Sequence, residues 1–139
     1  MKQRKSTALV VVMLLALLAL AACSGGSDGT VSGTVILPDG ASVPEGATIS
    51  VQVQDTSMAD AAATTMGQTT IDGSGQTGTI DFSVDYNPDD IVDNHSYSMN
   101  VRIENTDGSL LFINDTVIPV ITNGNPTENV EVPVIAVGR

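Results

Sequence analysis

The sequence predicts an all-β fold: a small antiparallel β-sandwich of seven to eight strands with one short helical turn, following a cleaved signal peptide. Three observations carry this. Apolar residues alternate with polar ones at a period of two in three separate segments. Clusters of Gly, Asp, Asn and Pro punctuate the chain between those segments. Once the N-terminal region is set aside, about 110 residues remain, a single-domain length.

The chain opens with Lys2, Arg4 and Lys5, then runs through an uninterrupted apolar stretch over 8–20 (ALVVVMLLALLAL). That stretch falls short of the roughly 20 residues a spanning helix needs and suits a secretory signal. It ends at Leu20-Ala21-Ala22-Cys23, which resembles the lipobox of bacterial lipoproteins. The resemblance implies a diacylglycerol thioether on Cys23, cleavage between Ala22 and Cys23, and acylation of the new amine. Small alanines leave the backbone open to a peptidase, and a thiolate is the strongest nucleophile for accepting the lipid. The alternative is an ordinary signal with Cys23 incidental. Against it, a lone cysteine in an exported chain has no disulfide partner. The expected organisation is a signal peptide over 1–22, a lipidated cysteine with a Gly/Ser tether over 23–29, and one domain over 30–139. A tether of that composition spans about 13 Å root-mean-square. Anchoring would need no spanning helix, because two or more acyl chains hold a protein at a membrane where one does not.

Within the domain, Ile49, Val51 and Val53 alternate with Ser50, Gln52 and Gln54. Ile80, Phe82, Val84 and Tyr86 do so with Asp81, Ser83 and Asp85, and Tyr97, Met99, Val101 and Ile103 with Ser98, Asn100 and Arg102. Each is a strand with one dry face and one wet face. Turns are expected at Pro38-Asp39-Gly40, Asp72-Gly73, Asp107-Gly108 and Asn123-Gly124-Asn125-Pro126, whose residues supply positive φ. Asn87-Pro88-Asp89-Asp90-Ile91 reads as one helical turn, with Asn87 as its cap and Pro88 at its first position. Pro119 and Pro133 each remove a ladder donor, so their strands belong at edges or bulges.

Charge narrows the functions. All 16 acidic residues follow Cys23, whereas only Arg102 and Arg139 do so among the bases, a side-chain balance of −14. Nucleic acid is excluded as a partner, since phosphate binding needs clustered Lys or Arg, and anionic lipid repels such a surface. Arg102, set outward among acids, is expected to pair with one of them. The search for catalytic machinery finds one histidine, His95, at the entry to a strand, where it reads as a turn or packing residue. No nucleophile-elbow motif surrounds any serine. No enzyme activity is expected, and no cofactor beyond the covalent lipid. The chain has no tryptophan, and of Phe82, Tyr86, Tyr97 and Phe112 three fall on inward-facing strand positions, leaving little platform for a sugar. No metal site is expected. Asp85, Asn87 and Asp89 make the nearest calcium candidate, but Asp90 and Ser96 stand where an EF-hand needs glycine and glutamate.

The stretch 51–61, VQVQDTSMADA, with Asp55, Ser57, Met58, Ala59, Asp60 and Ala61, resembles the pattern of the YbaY-like lipoproteins. These share a domain family with the YscW-type lipoprotein chaperones, or pilotins, of type III secretion. The likeness continues through Phe82, Val84, Tyr86, Pro88 and Ile91, then His95, Tyr97, Arg102 and Ile103. Gly108, Leu110 and Phe112, and finally Val120, Thr122, Gly124 and Pro126, extend it over most of 31–137. It implies a lipid-attached β-sandwich displayed in the cell envelope; its secretion branch implies a chaperone that guides a secretin subunit to the outer membrane. Asp55, Ser57 and Asp60 suit a structural role, capping backbone in a turn, and the pattern offers no catalytic residue. Two functions follow as expectations. One is a non-catalytic binding or assembly module with an envelope protein as partner; the other is a structural or surface-coating lipoprotein with no tight partner. Ser24 after the cysteine favours the outer membrane where a cell has two, and otherwise the outer face of the cell membrane.

Overall fold

The structure, a computed structural model, describes residues 29–138. Its strands are β1 (Gly29–Ile36), β2 (Thr48–Asp55), β3 (Thr64–Asp72), β4 (Thr79–Tyr86), β5 (Tyr97–Glu104), β6 (Leu110–Ile113), β7 (Pro119–Val120), β8 (Val130–Pro133) and β9 (Ile135–Ala136). A 3₁₀ turn, Pro88–Asp90, is the helical element between β4 and β5. The all-β sandwich expected from the sequence is present. Nine strands replace seven or eight because β7 and β9 are only two residues long, too short to leave a periodic trace.

One sheet has the order β4-β1-β8; the other runs β3-β2-β5-β6-β9, with β7 pairing β5 beyond the end of β6. Period-two alternation sends Val31 and Val35, Ile49, Val51 and Val53, Ile80, Phe82 and Val84, and Tyr97, Met99, Val101 and Ile103 into one buried core. Fully burying each of these side chains contributes about 1.5–3 kcal/mol. The pairing is antiparallel except between β1 and β8, which are parallel. That exception has a cause: β8 is reached by the irregular stretch 121–129, arriving from the other sheet, so no hairpin dictates its direction. At the contact Gly33 lets β8 come close, since a Cβ there would lie 1.8 Å from the Val130 carbonyl oxygen.

Pro133 lies on β8, an edge strand, and Pro119 on the short β7, consistent with their missing donors. Asn87 caps the 3₁₀ turn, its side chain accepting from the Asp89 amide, with Pro88 at the first position. One turn differs from expectation. At Asp72-Gly73 the positive φ falls on Gly75 (71°), not Gly73. Gly73 is instead buried, where a Cβ would come within 2.9 Å of Val43 Cγ1 and 3.0 Å of the Ala47 carbonyl oxygen.

The registers define two poles. Gly29 is opposite Tyr86, while Asp55 is opposite both Thr64 and Tyr97, and Val120 opposite Tyr97. β3 and β4 close this end together, with Gly67 against the Asp85 carbonyl. The loops 56–63, 87–96 and 121–127 therefore gather at the N-terminal pole. The turns 37–47, 72–78 and 105–109 gather at the distal one.

Candidate functional site

Polar side chains converge at the N-terminal pole. Asp55 ends β2, and its Oδ1 accepts from the Ser57 amide at 2.9 Å, closing an Asx turn. Its Oδ2 lies 2.7 Å from His95 Nδ1, a contact between residues 40 apart in sequence. The Ser57 hydroxyl and amide, followed by His95, hold the Asp55 carboxyl below the usual carboxylate range. The ionised carboxylate only accepts, so Nδ1 carries the hydrogen and donates.

The same clasp continues through Ser57, whose Oγ accepts from the Ser96 amide at 2.8 Å, and through the Thr56 amide, which donates to the Ser96 carbonyl at 2.9 Å. Thr122, buried, donates its hydroxyl to the His95 carbonyl at 2.7 Å. Just before it the backbone makes a γ-turn: the Thr122 amide donates to the Val120 carbonyl at 2.9 Å, and Ile121 sits at φ 74°. A β-branched residue there costs about 1–3 kcal/mol. The strain is held by the bonds on either side. Below the clasp Tyr97 is buried, its hydroxyl accepting from the Val92 amide at 2.9 Å.

Chemically, this is an architecture of ties. His95 and Asp55 form an imidazole–carboxylate pair, but the neighbouring hydroxyls are bound elsewhere than on the imidazole ring, Ser57 to the Asp55 carboxyl and the Ser96 amide, Thr122 to the His95 carbonyl. Asp60 stands exposed beyond Met58, outside these contacts. Of the calcium candidates, Asp85 accepts from the Thr30 hydroxyl at 2.9 Å, Asn87 is turned back onto the Asp89 amide, and Asp89 is exposed. Among the described residues no three His, Cys, Asp or Glu side chains come together as a metal-holding group. Cys23 and Ala22 lie outside the described residues. Arg102 pairs with Glu104, two residues along β5, at 2.8 Å, an exposed contact of small energetic value.

The sheet faces supply open ground. On the larger sheet Gln54 donates to Gln52 at 2.8 Å and Gln52 to Gln68 at 2.9 Å, a relay of carboxamides. It leads to a groove of ≈ 210 Å³ lined by Met99, Asn100 and the 114–117 segment. There Asn114 takes the place of a strand residue: its Oδ1 accepts from the Val101 amide at 2.8 Å and its Nδ2 donates to the Met99 carbonyl at 3.2 Å. The smaller sheet has a hollow of ≈ 410 Å³, where Asp81, Thr34 and Glu131 lie in register across three strands.

Sequence reasoning placed Asp55, Ser57 and His95 in one pattern but did not join them, because nothing local marks a contact across 40 residues. Asn114, Thr122 as a tie and the Ile121 turn left no recognised signal.

Fold and surfaces together define a class: a small two-sheet sandwich whose polar groups tie its own loops and whose accessible ground is its sheet faces. The chain belongs to the YscW family, whose model, described as type III secretion system lipoprotein chaperone, matches residues 27–132. It is 33% identical over 116 residues to the uncharacterized lipoprotein YbaY of Escherichia coli (strain K12), covering 78% of this chain and 60% of that relative's length. Among solved structures it is similar to an alternative pilotin from the type II secretion system of Vibrio cholerae. That similarity has a TM-score of 0.74 and 32% identity, covering 81% of this chain and all of the other.

Proposed function

We propose that this protein is a lipid-anchored chaperone of the cell envelope, acting as a pilotin acts: it binds a secretin-like subunit without catalysis and accompanies it to its membrane. In this reading the signal 1–22 is removed, Cys23 carries diacylglycerol and an N-acyl chain, and 24–29 tethers the sandwich. The observation that carries it is the pilotin likeness, which covers the whole of that structure together with most of this domain. The family model over 27–132 points the same way. The chaperone role needs no reactive centre, in keeping with polar groups that tie loops.

The test is in-cell crosslinking of the lipidated protein, with a Cys23→Ser form as control, followed by identification of what is bound. One stoichiometric envelope subunit, lost with Cys23→Ser, supports the proposal. Recovery of lipid and abundant neighbours alone would overturn it. That outcome favours a surface-structural lipoprotein, a reading that draws on the acidic, polar outward face of the strands.

A further inference from the structure

Exposed apolar side chains scattered singly over a surface need no explanation. Two of the four large ones here have more in common. Met58 is 69% exposed and Val92 45% exposed, and both belong to the N-terminal pole, on neighbouring loops. Each opens a turn, Met58 accepting from the Ala61 amide at 3.4 Å and Val92 from the His95 amide at 2.9 Å. The loops that carry them are joined at their bases by the Asp55–His95 and Ser57–Ser96 contacts. The tips are therefore held outward on a fixed base. They are flanked by Ala59, Ala61, Ala62 and Ala63, all exposed.

Chain length decides what this pole meets. Six peptide steps separate Cys23 from Gly29, where β1 begins at the same pole. Fully extended they reach at most roughly 21 Å. β1 itself is eight residues long and rises about 25 Å toward the distal pole. A lipid on Cys23 thus keeps the N-terminal pole beside the membrane, while the distal pole lies farther away than the tether can stretch. Charge then selects the lipid. Asp60, Asp89, Asp90 and Asp93 are exposed on the same loops, so an anionic surface is repelled and a zwitterionic one is accepted. The tether supplies a high local concentration, so a contact too weak to recruit the free domain still forms.

We propose that the N-terminal pole docks on a zwitterionic lipid surface through Met58 and Val92, which fixes the domain upright with its sheet faces and distal turns free for a protein partner. This rests on the lipid-anchor reading of Cys23. The test uses the full lipidated chain on phosphatidylcholine–phosphatidylethanolamine vesicles containing headgroup spin-labelled lipid. A thiol-reactive fluorophore is attached in turn to Ala59→Cys, Asn94→Cys and, at the distal pole, Asp39→Cys, all exposed; acylated Cys23 does not react. Each is read with Met58 and Val92 intact and again with Met58→Ser and Val92→Ser together. Quenching several-fold stronger at 59 and 94 than at 39 is expected, and the serine pair is expected to lower it at 59 and 94. Equal quenching at all three positions, stronger quenching at 39, or quenching at 59 and 94 that the serine pair leaves unchanged overturns the docking. Flotation of the protein with the vesicles separates the two ideas. Protein that floats without quenching at 59 and 94 keeps its anchor and loses the docking, whereas protein that fails to float loses both. Replacing part of the lipid with phosphatidylglycerol is expected to weaken the signal, and a stronger signal overturns the assignment to a zwitterionic surface.

Discussion

The two poles of the sandwich use one local device and put it to different ends. Asp55-Thr56-Ser57, Asp72-Gly73-Ser74 and Asp107-Gly108-Ser109 each form an Asx turn, the aspartate accepting from the serine amide at 2.9 Å. In each, the serine two residues on lowers the carboxyl pKa: through hydroxyl before amide at Asp55 and Asp107, and amide before hydroxyl at Asp72. At the distal pole the carboxylate serves only its own turn, and one serine hydroxyl reaches beyond it: Ser74 Oγ accepts from the Gly46 amide at 2.8 Å. At the N-terminal pole the second oxygen of Asp55 reaches His95, and Ser57 and Thr122 add further ties between distant segments. A three-residue motif thus sets a turn but not its reach; long-range wiring depends on what the fold brings alongside.

The comparison presumes a shared core, and removing part of it should erase the difference. Ile103→Ala deletes a fully buried side chain and is expected to cost about 2–5 kcal/mol. Amide exchange should rise at both poles together, and a loss confined to one pole would sink the single-core description. Next in size, Asp55→Ala is expected to cost about 1.5–3 kcal/mol, with exchange rising at Thr56, Ser57 and Ser96 and not at Ser74 or Ser109. A double-mutant cycle with His95→Ala should show coupling, whereas a cycle of Asp55→Ala with Asp107→Ala should be additive. Thr122→Val removes the hydroxyl from the His95 carbonyl and is expected to cost about 1 kcal/mol, read from the urea midpoint at constant m-value.

Acidity sharpens the contrast. The Asp55 carboxyl titrates lower in the folded chain than in the unfolded one, where it would titrate near the usual value of about 4. The unfolded state therefore takes up protons first as pH falls. The stabilisation is fully present above that value and fades as pH drops through the lowered folded one. Asp55→Asn should flatten part of that acid loss, leaving a residue of the same sign from Asp72 and Asp107. An unchanged pH profile would falsify the role given to Asp55. The smallest effect is expected from Asp107→Ala, a change in Tm well below that of Asp55→Ala, since its bonds stay within one exposed turn.

What was legible in the sequence follows the same division between local and distant. Alternation placed the inward faces of β2, β4 and β5 correctly, because burial at period two is written in consecutive residues. Asn87 and Pro88 announced their 3₁₀ turn, since cap and first position are adjacent. The parallel pairing of β1 with β8 was not legible: strand direction after an irregular crossover leaves no residue signature. Nor was the clasp, although Asp55, Ser57 and His95 all stood in the family-like pattern, because each side chain also has an adequate local explanation. The Ile121 turn left no trace either, its left-handed backbone being imposed from both flanks against the preference of a β-branched residue.

Asn114 has a consequence for how this domain can be altered. By lending its side-chain amide to the ladder of β5, it lets that strand change neighbours, from β6 to β7, with no break in its hydrogen bonding. Asp115, Thr116 and Val117 are exposed, and since the Thr116 carbonyl accepts from Asn114 Nδ2 at 3.1 Å, the free joint is at Val117. This is a seam at which sequence can be inserted, such as a short epitope or a reporter peptide, while the strands on both sides keep their alignment. Losing the carboxamide at 114 would turn that permissive joint into a frayed one.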